Sequence, residues 1–91
     1  MAPVDGRTRA VACSASTWNT GYRTDLEALG ARCANAGCLL IVDGIQLVGA
    51  DHVDVKAARV STFATAGYKW LLACFGIGAL YVAPEAVDQI S

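Results

Sequence analysis

Apolar residues fall in short unbroken blocks along this chain, separated by polar stretches rich in turn formers. The first block, "AVACS" (Ala10–Ser14), has the length of a short strand, and "STWNTGY" after it has the composition of a turn. A helix is predicted next. Thr24 and Glu27 stand in capping-box spacing at its start. Leu26, Leu29, Gly30 and Cys33 then recur at helical spacing on one face, and Gly37 is placed to stop it. "CLLIV" (Cys38–Val42) is continuous rather than alternating, the pattern of a strand covered on both faces, and it ends abruptly at Asp43-Gly44. A polar connection leads to "VSTFAT" (Val60–Thr65), a second strand beside it. "IGALYV" (Ile77–Val82) is a further strand, and "PEAVDQI" is a helix opening on proline. Strand, helix, strand, connection, strand is the α/β order. The segment between Thr65 and Ile77 is too short for a parallel crossover, so the last strand should run antiparallel to the one before it.

Composition sharpens this picture. Ninety-one residues allow at most one small domain, yet 55% are apolar and only 16% charged. That is a richer interior than a free-standing domain of this size needs, and it fits a chain whose apolar faces meet further layers. The net charge of −1, with its basic residues scattered, excludes an electrostatic footprint for nucleic acid. The N-terminal "MAPVDGRTRA" has no signal-peptide plan, and the apolar run from Trp70 to Pro84 is shorter than the roughly 20 residues that span a bilayer. The chain therefore reads as soluble and cytoplasmic, with no membrane partner. Cys13, Cys33, Cys38 and Cys74 form no CxxC pair and meet no histidine at zinc spacing. They are expected as reduced packing thiols, with no metal site, and His52 as a solvated loop residue.

Two polar residues stand where an α/β sheet places its ligands, beyond the carboxyl ends of the strands. Asp43 follows one apolar run, and Lys69 follows the other within "TAGYKWLL". Each has an ordinary explanation, Asp43 as a turn cap and Lys69 as a lysine that snorkels to water. On neighbouring strands, roughly 5 Å apart, the two would bracket a flat heteroaromatic ring. That arrangement suits pyridoxal phosphate. Its aldehyde forms a Schiff base (an aldimine) with a lysine amine, while a carboxylate keeps the ring nitrogen protonated. Tyr68, Trp70, Leu71 and Leu72 are expected to give the amine its apolar surround.

"VDGIQLVGADHVDV" followed by "AGYKWLLACFGIGALYV" resembles the class V aminotransferase and cysteine desulfurase-like family of fold type I pyridoxal-phosphate enzymes, in its isopenicillin N epimerase-like branch. The resemblance runs from about Arg9 to the C-terminus. It implies that residues 1–91 are part of a three-layer α/β/α large domain, with a mainly parallel sheet and an antiparallel strand near the C-terminus. By position it implies Asp43 as partner of the ring nitrogen, Gln46 at the phenolic oxygen and Lys69 as the Schiff-base lysine and proton carrier. Tyr68 falls where relatives carry a histidine near the cofactor, and Thr17, or Ser16 beside it, faces the cofactor from the preceding loop.

The resemblance further implies an amino-acid substrate, aminotransferase, lyase or desulfurase chemistry, and a homodimer for full-length relatives. Ala66 departs from the family's phosphate-holding serine, and Ala73-Cys74 stands where relatives have Gly-Pro. Cys74 is too near the lysine to match the desulfurase nucleophile, so packing is its expected role. The family's upstream phosphate cradle and its small domain with the substrate-clamping arginine have no counterpart in these 91 residues. Two alternatives remain at this level: a chain that keeps the motif without turnover, and a small α/β binding module in which Asp43 and Lys69 form a structural ion pair.

Overall fold

The computed structural model describes residues 3–90. Its order is β1 (Ala10–Ser14), α1 (Leu26–Ala36), β2 (Leu39–Asp43), β3 (Thr62–Ala66), β4 (Gly78–Val82), a 3-10 turn (Pro84–Ala86) and α2 (Val87–Ile90). The strands make one four-stranded sheet in the order β1-β2-β3-β4. β1, β2 and β3 run parallel, and β4 turns back antiparallel along β3, as its short connection requires. No helix among the described residues is long and apolar enough to cross a membrane.

The boundaries moved where backbone groups found other partners. Cys38 donates its N–H to the Cys33 carbonyl and so closes α1, with Gly37 in the left-handed conformation, and β2 begins one residue later and includes Asp43. Val60 donates to the Val55 carbonyl and ends a turn, so β3 starts at Thr62 and reaches Ala66. The helix cap is Asp25 and not Thr24: Asp25 accepts from the Ala28 N–H at 3.0 Å. Thr24 is instead tied to the end of β1, its hydroxyl donating to the Ser14 carbonyl at 2.8 Å.

The core lies on one side of the sheet. Leu40, Val42 and Phe63 point from the strands toward Leu26, Leu29 and Cys33 of α1. The 44–61 connection, polar on average, contributes Leu47, Ala58 and Val60 to the same core. "CLLIV" has the pattern of a strand covered on both faces, with part of that cover expected from further layers outside these 91 residues. Leu40 and Val42 are buried, but Ile41, facing the other way, is 40% exposed. The reason is that α1 and the connection pack on one side, and among the described residues nothing covers the other. Ala12, Ser14, Asp43, Ala64 and Leu80 also lie on that open face.

Candidate functional site

Three parallel strands ending at one edge bring three loops together. β1 ends at Ser14, β2 at Asp43 and β3 at Ala66. Thr17, Gln46 and Lys69 are each the third residue beyond their strand. The sequence-expected residues are thus gathered at the carboxyl edge by the topology alone.

Asp43 sits in the middle of this edge, in register with Ser14 of β1 and Ala64 of β3. Its carbonyl accepts from the Ala15 N–H at 2.8 Å, and the next residue, Gly44, donates to the Ala64 carbonyl at 2.8 Å. Its carboxylate turns to the open face. One oxygen, Oδ1, accepts from the Ile45 N–H at 2.9 Å, which fixes the group, and Oδ2 takes no hydrogen bond from the described residues. Gln46 follows, half-buried, inside the turn that Leu47 closes by donating to the Gly44 carbonyl.

β3 continues two residues past the level of Asp43, from Ala64 to Ala66, which sets the lysine loop roughly 7 Å further out along the strands. Gly67 donates to the Ile77 carbonyl at 2.8 Å and accepts from the Ala73 N–H at 2.8 Å, so the loop is pinched at its neck. Within it, Leu72 donates to the Lys69 carbonyl at 3.0 Å and takes a left-handed φ of 58°. Lys69 is half-buried. Neither Asp43 nor Lys69 enters an ion pair among the described residues, so the structural Asp-Lys pair of the binding-module alternative is not formed.

The apolar surround expected for Lys69 is not closed. Trp70 is 55% and Leu72 is 89% exposed, and Tyr68 and Leu71 are exposed as well. The turn closed by the Leu72 N–H on the Lys69 carbonyl leaves these side chains on the surface and out of the core. Tyr68 pairs instead with Phe75, ring centroids 4.9 Å apart. Cys74, expected to pack, is exposed on the same segment. Thr17 is half-buried, its hydroxyl 2.5 Å from that of Thr20 and its N–H donating to the Tyr22 carbonyl. Ser16 bridges to Arg23 across the same loop.

The other cysteines follow expectation. Cys33 is buried and its thiol is pushed up to about 11, chiefly by burial and then by the neighbouring Cys38 thiol. Burial also raises Cys13. Among the described residues no group of His, Cys, Asp and Glu is arranged to hold a metal ion. His52 is exposed.

One fastening was invisible in the sequence. The Arg23 guanidinium pairs with the Asp51 carboxylate and donates to the His52 carbonyl at 2.7 Å, tying the loop after β1 to the loop after β2. Nothing in the spacing of Arg23 marks it, because its partners are 28 and 29 residues away.

The donor set suits the cofactor expected from sequence. A fixed carboxylate with one unengaged oxygen, an amide and an uncommitted amine stand at the ends of adjacent strands. Residues 2–91 match the profile of the family described as Aminotransferase class-V. The isopenicillin N epimerase of Amycolatopsis lactamdurans is 34% identical over 79 residues, which is 87% of this chain and 20% of that protein. The apo structure of a cysteine desulfurase from Thermococcus onnurineus NA1 superposes with a TM-score of 0.84 at 30% identity, covering 89% of this chain and 20% of the other. An alanine–glyoxylate aminotransferase from Nostoc sp. superposes with a TM-score of 0.86 at 25% identity, over 92% of this chain and 22% of the other. The chain thus spans about a fifth of the length of these relatives.

Proposed function

Because the chain belongs to the aminotransferase class-V family, we propose that it is a segment of the cofactor-binding large domain of a pyridoxal-phosphate enzyme acting on an amino acid. The observation that carries this reading is the convergence of Asp43, Gln46 and Lys69 at the carboxyl edge of β2 and β3. When bound, the cofactor supplies an electron sink for the carbon next to the substrate's amino group.

The chain's own residues have distinct tasks in this reading. Asp43, held by the Ile45 N–H, offers Oδ2 to the ring nitrogen and keeps a proton there through a charge-assisted hydrogen bond. Gln46 offers its amide to the ring's phenolic oxygen from the following turn. Lys69 would supply the amine that holds the cofactor and would carry the substrate's proton. Thr17 and Tyr68 approach from the flanking loops. Aminotransfer, lyase and desulfurase chemistry all use these tasks.

The test is to mix the chain with pyridoxal phosphate, reduce with borohydride and locate the pyridoxyl group by mass spectrometry. Label is expected on Lys69, and Asp43→Asn should keep it there while altering the visible absorbance of the bound ring. Equal labelling of Lys56 and Lys69 would overturn the reading.

A second reading, a chain that keeps the site with little turnover, is favoured by one observation. The side chains around Lys69 are exposed and Ala66 offers no hydroxyl to a phosphate, so the amine is poorly shielded from water. Assay with a panel of amino acids, alanine and cysteine included, distinguishes the two.

A further inference from the structure

The stretch after β2 is wound tightly before it reaches the lysine loop. Leu47, 4% exposed, anchors it in the core. Leu47 and Val48 donate to the Gly44 carbonyl at 2.9 and 3.0 Å, and Ala50 and Asp51 donate to the Leu47 carbonyl at 2.9 and 3.0 Å. Arg23 holds its far end through Asp51 and His52. The result is a short strut with both ends fixed.

At its tip stands Gly49, with a φ of 94°. A Cβ built there would lie 2.5 Å from the Trp70 carbonyl oxygen, 2.7 Å from its carbon and 3.0 Å from the Leu71 nitrogen. What it meets is the Trp70–Leu71 peptide, one residue past Lys69. This neighbour is backbone and has no rotamer with which to yield. The lysine loop has few other restraints: the bonds at its neck, one turn bond and the Tyr68–Phe75 ring contact, with Trp70, Leu71 and Leu72 exposed.

We infer that Gly49 is a positioning residue for Lys69: by lying flat against the Trp70–Leu71 peptide it sets how far the lysine loop stands from Asp43. The inference takes Lys69 as the cofactor lysine proposed above, but the packing itself does not depend on that reading. Any L-residue at 49 meets two obstacles, the left-handed φ and a contact closer than real Cβ atoms show. The Trp70–Leu71 peptide must then move, and displacement of a reacting group by about an ångström lowers its rate on the order of 100-fold.

The test compares Gly49→Ala with Gly37→Ala in the full chain. Gly37 also has a left-handed φ, 72°, but nothing within 4 Å of its added Cβ, so it reports backbone strain without contact. Without cofactor, Gly49→Ala should speed hydrogen exchange at the Leu72 and Ala73 amides and leave the Ala15 and Gly44 amides protected. Gly37→Ala should leave all four unchanged. With pyridoxal phosphate and borohydride, the Lys69-to-Lys56 labelling ratio should fall by about 10- to 100-fold in Gly49→Ala alone.

Unchanged exchange at Leu72 and Ala73 in folded Gly49→Ala would overturn the inference, as would faster exchange with an unchanged labelling ratio. If wild-type chain is not labelled preferentially at Lys69, the cofactor reading fails, and the exchange arm still decides whether Gly49 sets the loop. If Gly49→Ala does not fold, the wild-type NOE between the Gly49 α-protons and the Leu71 amide decides, and its absence overturns the contact.

Discussion

Gly30, in the middle of α1, lies against the carbonyl of Ala58: a Cβ built on it would fall 1.8 Å from that oxygen. The helix and the 44–61 connection therefore approach at backbone distance. Gly30→Ala should destabilise the chain by about 1–3 kcal/mol, through overpacking. Helix propensity alone says the opposite, a gain of about 1 kcal/mol for alanine over glycine. The sign of the shift in urea midpoint, followed by circular dichroism, separates the two effects.

Asp25 should be the residue on which the start of α1 depends. Its carboxylate accepts from the Ala28 N–H, one of the helix's unpaired amides. Asp25→Ala is expected to cost about 1 kcal/mol, the usual worth of an N-cap. Thr24→Ala removes the bond to the Ser14 carbonyl and leaves that cap intact. Exchange at the Ala28 amide should rise only in the Asp25 variant.

The cysteines should react with a neutral alkylating reagent in order of access. Cys74, exposed, is expected first and Cys33, 1% exposed, last, which peptide mapping after timed quenching will show. A consequence follows for alkaline stability. The folded chain raises Cys33 from an ordinary value near 9 to about 11, so it holds the thiol proton more tightly than the unfolded chain does. That contribution is complete below pH 9 and is lost as pH rises from 9 through about 11. Cys33→Ala should lack this part of the decline when unfolding free energy is measured across that range.

Purified chain should self-associate through the open sheet face and the exposed apolar segment beside it. Ile41 is 40% and Leu80 is 66% exposed on that face, and Phe75, in the loop before β4, is exposed as well. Association driven by apolar area responds weakly to salt and strengthens on modest warming. Sedimentation velocity should show it rising with concentration. Paired Ile41→Lys and Leu80→Lys changes, both on exposed positions, should weaken it and leave the circular dichroism spectrum intact.

The sequence by itself determined the elements and their chemistry. β1 matches the "AVACS" block, α1 carries the stripe Leu26, Leu29, Gly30 and Cys33, and β4 reverses on β3 because its connection is short. Asp43 and Lys69 could be placed near strand ends because each follows an apolar block, and strand ends are local features; in the structure Asp43 is the last residue of β2 and Lys69 the third beyond β3. The tertiary structure alone decided what lies beside what. A continuous apolar run does not state how many faces are covered, since periodicity describes one element and not the layers packed on it. Among the described residues "CLLIV" is covered on one side, and the core draws Leu47, Ala58 and Val60 from a connection that looks polar by composition. The outward turn of Trp70 and Leu72, the reach of Arg23 to Asp51 and the contact of Gly49 with Trp70 have the same origin. Each depends on where a loop's backbone runs once distant segments pack against it, and no local pattern of residue types encodes that path.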